Sequence, residues 1–103
     1  MEEGKVIDTN LLIDGFSGLT TILNIIEYPT AFQRNVILFP ERADFDKAVE
    51  ISFRLRLKGT MIGTVDVIIA SMCINRSLKL VTKDKDFKYV KEVDKNFKVE
   101  ILN

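Results

Sequence analysis

From Thr64 to about Arg76 or Ser77 the chain is apolar on almost every side of a helix. Val65, Ile68, Ile69, Met72 and Cys73 fall on one stripe, and Val67, Ala70 and Ile74 fill much of the remainder. A helix of that kind is stable only when buried, so other elements must cover it. Leu78-Lys79-Leu80-Val81-Thr82 follows after a short link and reads as a strand. Helix then strand with so short a link is the pattern of a parallel α/β layer. At 103 residues, 47% of them apolar, the chain is expected to form a single domain over residues 1–103 with one modest core.

The other segments fit that layer. Lys5-Val6-Ile7-Asp8 is a short apolar run ending in an acid, expected to be a buried strand, and Leu11 to Ile13 a short helix or turn stopped near Gly15 and Gly18. A second helix is expected from Thr20 or Thr21 to Tyr28, just before Pro29. Val36-Ile37-Leu38-Phe39 is either an extended packing segment or a short strand. The clearest helix runs from about Asp44, a candidate cap, to Lys58, with Gly59 ending it. Phe45, Ala48, Val49, Ser52 and Phe53 follow its period, with Ile51 and Leu55 widening the apolar face and Lys47, Glu50 and Arg54 opposite. Phe87 to Val93 is expected to be a short basic helix, and Phe97 to Ile101 alternates as a half-buried or edge strand.

Composition removes several chemistries. The chain has no histidine, hence neither the usual general base nor the usual zinc ligand. The single cysteine, Cys73, forms no intrachain disulfide and lies in the buried helix with nothing to activate it. Fifteen basic and fifteen acidic residues cancel, so the overall field does not attract a polyanion. The acidic start lacks the apolar core of a signal peptide, and no apolar run approaches the ~18 residues of a membrane span. A cytoplasmic location with no membrane partner is expected.

Four acids stand out. Asp8 and Asp84 each follow an apolar strand, where ligands of open parallel sheets bind. Asp66 lies in the first turn of the buried helix behind Thr64, which is expected to be its cap, and Glu27 is the lone acid of an apolar segment. Each has a plainer reading. Aspartates start turns, acids suit helix N-termini, and Glu27 could face water at a helix end. Taken together they offer only oxygen ligands, which suit Mg²⁺ or Mn²⁺. Carboxylates that converge repel one another unless a cation or protons neutralise them.

Four stretches carry a resemblance: Val6-Ile7-Asp8-Thr9-Asn10-Leu11-Leu12, Ile26-Glu27-Tyr28, Gly63-Thr64-Val65-Asp66-Val67-Ile68-Ile69-Ala70, and Leu80-Val81-Thr82-Lys83-Asp84-Lys85-Asp86-Phe87. In this order the chain resembles a PIN domain, and most closely the VapC-type toxin ribonucleases, although it is short for that family, with only 19 residues from Asp8 to Glu27. The resemblance implies a three-layer α/β fold, a mainly parallel sheet flanked by helices. It implies a metal-dependent endoribonuclease, the toxin of a toxin–antitoxin pair, with Asp8, Glu27, Asp66 and Asp84 as catalytic metal ligands. Asp86 is an alternative to Asp84, and Asn10 and Thr82 would support the site. Lys83, Lys85 and Lys88 would contact RNA phosphates, or else serve solubility. An RNA substrate, an antitoxin protein and a homodimer are the implied partners. The alternative is a non-catalytic PIN-like module that binds RNA or protein.

Overall fold

The computed structural model describes residues 4–103. The elements run β1 (Lys5–Ile7), α1 (Thr9–Ile13), β2 (Leu19–Thr21), α2 (Ile22–Glu27), a 3₁₀ segment (Pro29–Arg34), β3 (Val36–Leu38), α3 (Arg42–Leu57), α4 (Thr64–Asn75), β4 (Lys79–Thr82), α5 (Phe87–Val93) and β5 (Lys98–Ile101). Among the described residues the five strands form one sheet in the order β3-β2-β1-β4-β5, with every pairing parallel. Val6 pairs with Leu19 on one side and Leu80 on the other. The chain steps outward from β1 to β3, then returns across β1 to build β4 and β5. The order therefore reverses between β1 and β4, and the crevice outside their carboxyl ends is where a ligand fits such a sheet.

Helices cover both faces. On one, Val6 and Leu80 pack with Ala48, Ile51 and Leu55 of α3, Val67, Ile69, Ala70 and Cys73 of α4, and Phe87 and Val90 of α5. On the other, Ile7 and Ile37 pack with Leu12, Ile25 and Ala31. As expected, α4 is buried over most of its length and Cys73 is wholly enclosed; burial pushes its thiol up to about 12, so it stays neutral.

The turn after α4 is tight. Ser77 takes a left-handed conformation (φ 55°), and Leu78 N–H and Ser77 N–H bond back to the carbonyls of Cys73 and Ile74. That closure sends the chain directly into β4, and it sets the first turn of α4 at the edge where β1 and β4 end. At the far end of α4, Arg76 clasps Asp44 in the first turn of α3 through Nη1–Oδ1 (2.9 Å) and Nη2–Oδ2 (3.0 Å).

Several sequence expectations are corrected. Leu19–Thr21 is a strand, not the run-up to a helix. A three-residue strand is too short to express a period, and Thr21 serves both as its end and as the cap of α2. Thr64 is not the cap of α4. Gly63 holds that position without a side-chain bond, and Thr64 is the first helical residue. Glu41 caps α3, with Asp44 a turn further in, reaching back to the Glu41 N–H. The apolar face of α3 is also split: Ala48, Ile51 and Leu55 are buried, whereas Phe45, Val49 and Phe53 face outward. The Val36–Phe39 run is resolved as an edge strand, β3, with Val36 and Phe39 exposed.

Candidate active site

Asp8 ends the run of β1 and caps α1, so its backbone leaves the sheet while its side chain stays buried. Four donors surround its carboxylate. Thr9 N–H (2.9 Å) and Asn24 Nδ2 (2.8 Å) reach Oδ1, while Thr82 Oγ1 (2.6 Å) and Asn10 Nδ2 (3.4 Å) reach Oδ2. Burial still dominates and raises the Asp8 pKa above its ordinary value; the bonds from Thr82, Thr9 and Asn24 oppose the rise, and the charge of Glu27 adds to it.

Thr82 is the hub between the two central strands. The Ile7–Val81 pairing brings it alongside Asp8. Besides donating to Asp8, its hydroxyl accepts from Asp84 N–H (2.9 Å) and Asn10 Nδ2 (3.3 Å). Asn10 Oδ1 in turn accepts from Lys83 N–H (3.1 Å). The two residues expected to support the site thus tie α1 to the end of β4.

Asp8, Glu27, Asp66 and Asp84 line one open cavity of about 330 Å³, together with Thr9, Asn10 and Ile13. Asp66 shows the strain of the arrangement. Its pKa is pushed up to about 6, first by burial and then by the charges of Asp8, Asp84, Glu27 and Asp86. Asp84 rather than Asp86 faces the cavity. Asp86 is exposed, precedes α5, and donates its N–H to Asp84 Oδ1 (2.9 Å). Glu27, the last residue of α2, is exposed and accepts from Thr9 Oγ1 (2.6 Å). As placed, no three acid or cysteine side chains among the described residues close into a metal cage. The donor chemistry nevertheless suits a hard cation: every candidate ligand is a carboxylate, and their mutual repulsion on Asp66 is what a divalent ion would relieve.

The lysines divide. Lys83 is paired with Asp14, whereas Lys85 and Lys88 are exposed, with Lys88 over the Tyr89 ring at 5.1 Å; none of the three lines the cavity.

Two residues at this site escaped the sequence reading. Asn24 is fully buried and bonds both Asp8 Oδ1 and Thr9 Oγ1. Thr9 joins Asn24 to Glu27. The available signal was Thr21-Ile22-Leu23-Asn24, a polar pair at capping-box spacing ahead of an apolar run.

A sequence match to the PIN domain family spans residues 30–93, more than half of the chain, and includes Asp66 and Asp84. The chain belongs to the PIN domain family. Solved structures agree on the fold of this PIN domain. VapBC2 from Rickettsia felis, bound to a DNA fragment from its promoter, superposes with a TM-score of 0.74 at 19% identity over 96% of this chain and 98% of that one. VapBC-5 from Mycobacterium tuberculosis, a member of the VapBC family of toxin–antitoxin systems, gives 0.73 at 19% identity over 97% and 98%. No curated protein sequence matches the chain. No helix among the described residues of the PIN domain is long and apolar enough to cross a membrane.

Proposed function

We propose that this single PIN domain, over residues 1–103, is a divalent-metal-dependent endoribonuclease of the VapC type, the toxin of a toxin–antitoxin pair acting in the cytoplasm. The observation that carries the reading is the lining of one cavity by Asp8, Glu27, Asp66 and Asp84, with the Asp66 pKa pushed up to about 6. These four would hold Mg²⁺ or Mn²⁺. A bound ion supplies Lewis-acid activation of water and neutralises charge on the phosphate.

The protein's own residues supply position. Thr82 and Asn10 hold the buried Asp8 carboxylate in one orientation. Lys85 and Lys88 would contact the phosphate backbone, which fixes register without reading bases. Lys83 joins them only by giving up Asp14.

Partners follow from the same reading. The fold is shared with VapBC proteins, which favours an antitoxin protein. A second copy of the chain would cover the outward face of α3, where Phe45, Val49 and Phe53 border an open apolar groove of about 420 Å³. Patches of that kind on a soluble surface mark protein contacts.

The direct test is cleavage of mixed structured and single-stranded RNAs in Mn²⁺, in Mg²⁺ and in EDTA, with Asp66→Asn alongside. Metal-dependent cleavage that disappears in the variant is expected. Cleavage that survives the substitution would sink the assignment. A second reading, a non-catalytic RNA- or protein-binding module, is favoured by the four hydrogen bonds that already satisfy Asp8. RNA binding without any cleavage in Mn²⁺ would select it.

A further inference from the structure

The buried amide of Asn24 uses every hydrogen-bonding position it has. Its Oδ1 accepts from Thr21 Oγ1 (2.6 Å) and Thr21 N–H (3.4 Å). Its Nδ2 donates to Asp8 Oδ1 (2.8 Å) and Thr9 Oγ1 (2.9 Å). These contacts leave the amide one orientation, because a flip would set the oxygen against a carboxylate and the NH₂ against the Thr21 N–H. Thr9 Oγ1 accepts from Asn24, so its single proton is free for Glu27, and it is donated to Oε1 over 2.6 Å.

Glu27 needs such a hold. It is exposed, it ends a six-residue helix, and no cation is paired with it among the described residues. A free glutamate samples many rotamers, and ordering one carries an entropic cost. Here the ordering comes from a hydroxyl that is itself fixed by a buried amide, which is in turn fixed by the cap of its own helix.

We propose that Asn24 is a positioning residue that aims two carboxylates at the cavity, Asp8 directly and Glu27 through the Thr9 hydroxyl. Resting on the cation-site reading above, it adds that Thr9 and Asn24 act on the ion only by way of the acids they hold. Partners of this kind, one bond removed from the ion, typically alter metal affinity by about 10–100-fold when removed.

The test is Mn²⁺ binding to the full chain by titration calorimetry, with circular dichroism confirming the fold of each variant. Thr9→Val is expected to weaken Mn²⁺ binding at least about 10-fold, while Thr9→Ser, which keeps the hydroxyl, stays within about 3-fold of wild type. Adding Thr9→Val to Glu27→Ala, which removes the acceptor of the Thr9 hydroxyl, is expected to cost little further, because the two then remove one shared interaction. Asn24→Ala should weaken binding at least as much as Thr9→Val; if it does not fold, the Thr9 series decides. Wild-type affinity in Thr9→Val, or additive losses in the double variant, would overturn the positioning role while leaving the cation site standing. Absence of Mn²⁺ binding that depends on Asp66 in the wild type would overturn both.

Discussion

The hydroxyl of Thr82 donates to Asp8 Oδ2 across 2.6 Å, linking residues 74 positions apart at the ends of the two central strands. It is the shortest of the four bonds to that carboxylate. Thr82→Val keeps the shape but leaves Oδ2 with only the long bond from Asn10, and leaves Asp84 N–H without its acceptor. A loss of about 1–3 kcal/mol is expected in urea unfolding. The Asp8 pKa, already raised by burial, should rise further without this donor. The loss should therefore shrink as pH falls from 7 and Asp8 takes up its proton, because the protonated carboxyl no longer requires the bond.

Asp66 carries a stability cost that depends on pH. Its folded pKa, about 6 against an ordinary 3.8, means that the folded state binds more protons than the unfolded state between those values. Stability contributed by this group therefore falls as pH rises from about 4 through 6. Discounted for its partial exposure, Asp66→Asn is expected to gain about 1 kcal/mol at pH 7.5 in EDTA, a rise of about 4–8 °C in Tm. The gain should vanish near pH 4. With saturating Mn²⁺ the order should reverse, because only the wild type is stabilised by the ion. Differential scanning calorimetry at the two pH values checks both.

Asp44 behaves oppositely. Burial would raise its pKa, but the Arg76 guanidinium, the Glu41 N–H and the Asn75 amide together hold it below the ordinary value. Its contribution is present above the ordinary pKa and is lost as pH falls through the lower folded one. Arg76→Ala would strand this 1% exposed carboxylate, and a cost of about 3–5 kcal/mol is expected in urea unfolding at pH 7, shrinking in acid.

The left-handed Ser77 offers a gain away from the cavity. A non-glycine residue at φ 55° carries a steric cost that glycine avoids. Ser77→Gly is expected to stabilise the chain by about 0.5–1 kcal/mol without altering metal affinity, measured by urea unfolding and Mn²⁺ titration.

Much of this was legible in the chain. The helix of Thr64–Asn75 and the strand after it announced the layered fold because an all-round apolar helix has no other use. Asp8 stood out because it follows an apolar run, whereas Thr82 was singled out only through the family resemblance. What was hidden depends on tertiary contact. On α3 the period allows two apolar stripes, and only packing decides that Ile51 and Leu55 go inward while Phe45, Val49 and Phe53 do not. Asn24 is one amide among isoleucines, and its role exists only because β1 brings Asp8 beside it.

The switch of strand order between β1 and β4 also has a consequence for biosynthesis. Asp8, Asn24 and Glu27 leave the ribosome early, but Thr82, whose hydroxyl bridges Asp8, Asn10 and Asp84, is made only after some four-fifths of the chain. Pairings this distant in sequence form slowly because the intervening loop must first be closed. A nascent chain therefore carries its acids apart, and the cavity comes into being only when the second half docks against the first.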